Sequence, residues 1–224
     1  EPRPTGLAAV VHELPPEHWE DHCFIVLRTL FCNPGTRYME RELLMSGIGG
    51  QGVQLAAEVL ARAAITDGLD VQLFGSYGGM MRGGNTEATV VLADGPIEAP
   101  PTVASAWSGI AMHPEYAHTV VPRVRPGGVL FVNTTVFDTV PAPVDVRVVP
   151  LAATALAADT GNAMTASIVM IGAYAAITAL VSLDALVGAI EQALPPYRAQ
   201  HIALNQRAVR TGYDAAPDLE GVAR

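Results

Sequence analysis

Leu43-Leu44-Met45-Ser46-Gly47-Ile48-Gly49-Gly50-Gln51-Gly52 is the stretch of sequence that decides the fold. Its first part is a short apolar run, entered from charged residues and ended by glycine, which is typical of a buried parallel strand. Its second part, residues 47–52, satisfies the pattern G-x-G-x-x-G and is called here the first glycine turn. Residues 53–64 then repeat apolar side chains at the spacing of one helical face. The stretch therefore predicts a strand, a tight turn and a helix whose positive end lies at the turn.

The alternation of strands and helices continues along the chain. Further strands are predicted over residues 71–74, 88–92, 103–112, 129–132 and 144–149, and further helices over residues 152–158, 163–180, 183–194 and 200–210. Residues 42–75 together predict a βαβ unit. We therefore predict an α/β fold for residues 41–224, a Rossmann-like, doubly wound, mostly parallel sheet with flanking helices. Residues 1–40 differ in composition and are interpreted as an N-terminal extension.

Three residues are predicted to mark the ends of helices. Gly68 is placed to end the first helix in a left-handed conformation. Ser182 is a good N-cap for the helix that follows it. Gly212 is expected to end the last helix.

The composition narrows the classes of function. The chain of 224 residues has 22 acidic and 13 basic side chains, and its net charge of −9 argues against nucleic acid or an anionic membrane surface as the main partner. Its only cysteines, Cys23 and Cys32, cannot hold an iron–sulfur cluster or a usual structural zinc, and they favour a reducing cytoplasm. Residues 163–183 carry no charge, but Thr, Ser and Gly dilute them and basic flanks are missing. We therefore predict a buried helix there and no membrane span.

The first glycine turn does not complete a dinucleotide site. Such a site needs an acidic residue about twenty positions further on, at the end of the second strand. Leu73-Phe74-Gly75-Ser76-Tyr77 stands there instead, and Asp70 precedes the strand. Four interpretations stay open: binding of the phosphate of another ligand, a free-standing Rossmann-type nucleotide-binding protein, a purely structural interface protein whose turn packs against another chain, and a turn that only lets its own helix and strand pack closely.

A second glycine-rich segment separates two predicted strands. It reads Gly75-Ser-Tyr-Gly-Gly-Met-Met-Arg-Gly-Gly-Asn-Thr86 and is called here the second glycine stretch. Arg82 can offer a planar fork of donors to a phosphate or a carboxylate. Alternatively, it pairs with a carboxylate such as Glu87 and only orders the loop. Both glycine segments are predicted to leave the carboxyl ends of neighbouring strands, where open α/β sheets bind ligands.

These residues carry a resemblance to a known family. Gly47-x-Gly-Gly-Gln-Gly52, Ser76-Tyr77-Gly78 and Arg82-Gly83-Gly84 resemble the gamma subunit, or gamma-type domain, of 2-oxoacid:ferredoxin oxidoreductases. The likeness continues through Gly161-Asn162 and spans residues 41–214. Members of this group act on pyruvate, 2-oxoglutarate, ketoisovalerate or indolepyruvate. The resemblance implies a non-autonomous subunit of a multisubunit oxidoreductase that converts a 2-oxoacid to an acyl-CoA by oxidative decarboxylation.

The resemblance also implies how the work is divided among subunits. Thiamine diphosphate and Mg would be bound by alpha and beta subunits, and iron–sulfur clusters by partners that include a ferredoxin-type subunit or domain. This chain would hold no metal and no catalytic residue, and would contribute a subunit interface and contacts to coenzyme A. The candidate cofactor-binding residues are Gly47, Gly49, Gly50, Gln51, Gly52, Ser76, Tyr77, Arg82, Gly83, Gly84 and Asn85.

Overall fold

A single mixed sheet organises the chain. The structure is a computed structural model that describes residues 24–27, 38–77, 83–98, 100 and 103–217. Seven strands pair in the order β1-β3-β4-β2-β5-β6-β7. Their bounds are β1 Phe24–Leu27, β2 Glu40–Ile48, β3 Asp70–Tyr77, β4 Asn85–Ala93, β5 Ala106–Ala111, β6 Val124–Asn133 and β7 Arg147–Leu151. The helices are α1 Val53–Thr66, α2 Ala153–Asp159, α3 Ala166–Thr178, α4 Leu183–Ala193 and α5 Ile202–Asp214.

The directions of the strands confirm the predicted α/β fold and add one feature to it. Strands β2, β5, β6 and β7 pair in parallel, as predicted. Strand β4 pairs antiparallel with both β2 and β3. The unit β2-α1-β3 is therefore a split βαβ unit, with β2 and β3 parallel but separated by β4. Both strands still end at the same rim of the sheet.

The two faces of the sheet are covered differently. All five α-helices of the described residues pack on one face, in a cluster that includes Leu43 and Met45. The prediction of a doubly wound sheet expected α-helices on both faces. The opposite face carries a smaller cluster around Leu44, which alternates with them along β2. Short 3-10 helices over Pro114–Thr119 and Val121–Arg123 lie beside that second cluster. Helices α1 and α3 both contribute buried residues to the large cluster.

Helix α3 lies inside the core, as the uncharged run predicted. Every residue from Ala166 to Ala175 is buried. Among the helices that the structure describes, none combines the length and the apolar character needed to cross a membrane. The run is therefore a buried helix of the α/β core.

Two of the three predicted helix boundaries are confirmed. Gly68 follows α1 with a φ of +87°. The Ser182 hydroxyl accepts a hydrogen bond from the Ala185 N–H at 3.2 Å. That hydroxyl in turn donates to the Asp67 carboxylate at 2.9 Å, which joins the end of α1 to the start of α4.

The prediction that Gly212 ends the last helix is wrong. Helix α5 continues through Gly212 to Asp214. A Cβ atom added at Gly212 would overlap the backbone of Val169 in α3, and one added at Gly172 would overlap the backbone of Val209 in α5. The glycine therefore marks a close crossing of α5 over α3, and not the end of a helix.

The predicted extension, residues 1–40, is described only in part. Strand β1 lies within it and pairs antiparallel with β3. Strand β2 begins at Glu40, at the predicted boundary. Cys23 and Cys32 lie outside the described residues. The division of the chain at residue 40 stays a prediction.

Candidate functional site

The first glycine turn is shaped by its own glutamine. Gly50 and Gly52 have φ values of +104° and +77°, a conformation that glycine adopts without strain. The Gln51 side-chain oxygen accepts a hydrogen bond from the Ile48 N–H at 2.9 Å. The Gln51 N–H donates to the Ile48 carbonyl at 3.1 Å. The side-chain oxygen of Gln51 therefore closes the turn that leads into α1.

Two further glycines of this turn leave little room for a side chain. A Cβ atom at Gly47 would lie 2.8 Å from the Val53 side chain, closer than real Cβ contacts. A Cβ atom at Gly49 would lie 3.2 Å from the Gly83 nitrogen. Glycine is thus used at these positions because both helix α1 and the second glycine stretch approach the backbone of the turn closely.

The two glycine segments touch each other. The Gly49 N–H donates to the Gly84 carbonyl at 2.8 Å, and Ile48 pairs with Asn85 in the sheet. This confirms the prediction that both segments meet at one rim. The strands that they leave, β2 and β3, are not neighbours as predicted, because β4 lies between them. Residues 78–82, which include Arg82, lie outside the described residues.

The second glycine stretch is held by a residue that the sequence did not indicate. Gln54, in the first turn of α1, donates from its side-chain amide to the carbonyls of Glu87 and, at 3.4 Å, Ser76. A Cβ atom at Gly75 would overlap the Gln54 side chain. Gln54 thus joins α1 to both β3 and β4. No sequence pattern could have found it, because a polar residue on a helix face normally points to solvent.

The polar side chains at the start of β4 pair with each other. Asn85 donates from its amide nitrogen to the Glu87 carboxylate at 2.6 Å. Ser76 is exposed at the end of β3, and β4 separates it from β2. The predicted residues Ser76 and Tyr77 therefore lie at the same rim as the first glycine turn, two strands away from it.

A third element reaches this rim from the end of β5. The Met112 N–H donates to the Ser46 carbonyl at 2.9 Å, which continues the pairing of β5 with β2. The 3-10 helix Pro114–Thr119 follows, and the Tyr116 hydroxyl donates to the Gly83 carbonyl at 3.2 Å. The pKa of the Tyr116 phenol is raised, chiefly by partial loss of solvent and to a smaller extent by the neighbouring Glu115 carboxylate. The hydroxyl therefore keeps its proton and acts as a donor near neutral pH.

The amino end of α3 forms a fourth part of the rim. The Asn162 side chain accepts a hydrogen bond from the Met164 N–H at 3.0 Å. The Ser167 hydroxyl donates to the Gln51 carbonyl at 2.8 Å. Met164 is 59% exposed, and its methyl group would lie 3.9 Å from a Cβ atom at Gly50. Helices α1 and α3 therefore both begin at the first glycine turn, with Asn162 at the bend before α3.

This arrangement suits an anionic ligand better than a metal ion. The first N–H groups of a helix have no acceptor within the helix, and the positive end of the helix dipole lies beside them. Bare glycine backbone allows a phosphate to approach such groups. Within the described parts of the chain, no group of three or more His, Cys, Asp or Glu residues could hold a metal. The chemistry available at the rim is binding and orientation.

Comparison with known proteins identifies a family. Residues 42–215 match the family model described as pyruvate ferredoxin/flavodoxin oxidoreductase. The 2-oxoglutarate synthase subunit KorC of Methanocaldococcus jannaschii is 30% identical, over 81% of this chain and 96% of its own.

Solved structures show the same likeness. The gamma subunit of a keto/oxoacid ferredoxin oxidoreductase from Geobacter sulfurreducens has a TM-score of 0.68 and 30% identity, over 79% of this chain and 96% of its own. A 2-oxoglutarate:ferredoxin oxidoreductase from Magnetococcus marinus, solved with 2-oxoglutarate, coenzyme A and succinyl-CoA bound, has a TM-score of 0.65. At 20% identity, over 79% of this chain and 31% of that chain, it shares the fold.

Proposed function

The chain belongs to the pyruvate ferredoxin/flavodoxin oxidoreductase family, and we propose on that premise that its two glycine segments contribute contacts to coenzyme A. It is a gamma subunit of a 2-oxoacid:ferredoxin oxidoreductase, and so a non-autonomous part of an enzyme complex. Within that complex, its proposed task is to bind and orient the coenzyme that receives the acyl group.

One observation carries the proposal: the Gly49 N–H donates to the Gly84 carbonyl at 2.8 Å. It joins two bare backbone segments directly beside the amino end of α1. The pyrophosphate of coenzyme A is the kind of group that a glycine backbone and a helix amino end bind well. The Magnetococcus marinus complex supports this choice, because a chain of the same fold belongs to a structure with coenzyme A bound.

Each proposed contact has its own role. The glycines at positions 50, 52 and 83 let the coenzyme approach the backbone, and those at positions 47, 49 and 84 let the two segments and α1 pack closely. Gln51 keeps the first turn closed. Arg82 is proposed to bind a coenzyme phosphate through its guanidinium group. Ser76, Tyr77 and Asn85 are proposed to orient polar groups at the outer end of the rim.

The remaining chemistry is proposed to lie on partner subunits. Alpha and beta subunits would hold thiamine diphosphate and Mg, and a ferredoxin-type subunit or domain would hold iron–sulfur clusters; together these cofactors supply decarboxylation and transfer of single electrons. The two cysteines of this chain cannot form a four-cysteine cluster. We also propose that the complex is cytoplasmic.

Arg82→Ala is expected to raise the KM for coenzyme A in the assembled enzyme while the KM for the 2-oxoacid stays constant. Loss of one hydrogen bond to a charged group corresponds to a rise of about tenfold to a hundredfold. Steady-state kinetics with each substrate varied in turn measures both constants. Arg62→Ala is the matched control, since Arg62 pairs with Glu58 within α1 at 2.8 Å and should leave both constants unchanged.

An unchanged coenzyme A dependence in Arg82→Ala would assign Arg82 to the ordering of its loop. It would also favour the purely structural interface subunit over the coenzyme-binding one.

Titration of the purified chain with NADH, FAD or ATP is expected to show no binding in the micromolar range. Asp70 begins β3, so its carboxylate lies at the rim opposite to the first glycine turn. The strand ends instead at Ser76 and Tyr77, which cannot replace a carboxylate at a ribose. Isothermal titration calorimetry measures the affinity. Micromolar binding of any of the three would support the free-standing nucleotide-binding alternative.

A further inference from the structure

The end of the second glycine stretch is fixed by hydrogen bonds to its backbone. The Gly84 carbonyl accepts from the Gly49 N–H, and the adjacent Gly83 carbonyl accepts from the Tyr116 hydroxyl at 3.2 Å. Gly83 is exposed, has a φ of +78° and has no atom within 4 Å of the place where a Cβ would stand. No side chain packs where a Cβ of Gly83 would stand, so its peptide group is positioned by the Tyr116 hydrogen bond and by the close approach of Gly49.

Tyr116 is itself firmly placed. It lies in the 3-10 helix Pro114–Thr119, which begins with a proline and is capped by His113, whose ring nitrogen accepts from the Glu115 N–H at 3.3 Å. The Thr119 hydroxyl donates back to the Tyr116 carbonyl at 2.8 Å. Ala117, next in sequence, is buried. The backbone that carries Tyr116 is thus connected to the sheet through β5, which pairs with β2.

We propose that Tyr116 is a positioning residue for the coenzyme site. Its hydroxyl holds the Gly83 carbonyl, and this sets the direction of the backbone where the second glycine stretch meets the first glycine turn. The inference rests on the proposed coenzyme A function. Tyr116 acts through the glycine backbone and is not a catalytic residue.

Tyr116→Phe tests the inference in the assembled enzyme, because it removes one hydroxyl and keeps the ring. The KM for coenzyme A is expected to rise about two- to tenfold, as for the loss of one neutral hydrogen bond. The kcat and the KM for the 2-oxoacid should stay at their wild-type values. Tyr197→Phe is the matched control, since Tyr197 is 73% exposed, and it should change none of these constants.

Hydrogen exchange supplies a readout that is independent of the coenzyme. The Gly49 amide donates to the Gly84 carbonyl, so loosening of the second glycine stretch should speed its exchange. Peptides that cover residues 46–53 are expected to exchange faster in Tyr116→Phe than in Tyr197→Phe.

Three outcomes would overturn the inference, and they separate it from the proposed function. If Arg82→Ala raises the KM for coenzyme A while Tyr116→Phe changes neither that KM nor the exchange, the positioning role fails and the coenzyme site stands. If exchange is faster but neither variant alters the KM for coenzyme A, the coenzyme site itself is wrong. If Tyr116→Phe raises both KM values and lowers the melting temperature, its role is general stability.

Discussion

Gly212→Ala is expected to destabilise the chain by about 3 kcal/mol, the upper end of the usual cost of overpacking and a large part of the stability of a typical domain. Alanine is intrinsically the better helix former by about 0.5–1 kcal/mol, so helix propensity alone predicts the opposite sign. The added methyl group, however, would overlap the carbonyl group of Val169 in α3. Val169 is fully buried, and a helix backbone cannot move aside without opening the core around it. Urea denaturation of the purified chain, followed by circular dichroism, measures the free energy of unfolding.

Gly188→Ala is the matched control for this prediction. Gly188 lies in α4, is exposed, and has nothing within 4 Å of the place where a Cβ would stand. The same chemical change should therefore stabilise the chain by about 0.5–1 kcal/mol. Equal unfolding midpoints for Gly212→Ala and the wild type would mean that α3 and α5 do not cross as closely as the structure places them.

The strand–turn–helix at the start of the domain could be predicted because its signals are local. An apolar run, four glycines and a helical apolar face lie within about twenty-five residues, and each specifies the same geometry. The meeting of the two glycine segments followed from a general property of open α/β sheets, and the contact of Gly49 with Gly84 confirms it. Ser182 was predictable as a cap for the same reason, since its partner Ala185 is three residues away.

What could not be predicted depends on contacts between distant parts of the chain. The alternation in residues 88–92 indicates a strand but carries no direction, so the antiparallel placement of β4 between β2 and β3 was missed. Gly212 satisfies the local rule for a helix end, and only its contact with α3 shows that it serves a helix crossing. The contact of Tyr116 with Gly83 spans 33 residues. No pattern within either segment indicates it.

The purified chain alone is expected to show no turnover with any 2-oxoacid, and activity should appear only when partner subunits are added. Oxidation of a 2-oxoacid releases electrons that need a carrier, and the two cysteines of this chain cannot bind an iron–sulfur cluster. The glycine segments are proposed to bind and orient a coenzyme, and that role supplies no acceptor for those electrons. Reduction of a viologen dye in the presence of coenzyme A measures the rate.

With partner subunits at fixed concentration, the rate should rise as the chain is added and then reach a plateau. The Arg62→Ala chain should reach the same plateau. Turnover by the chain without partners, at a rate comparable to the complex, would contradict the assignment of the chain as a non-autonomous subunit.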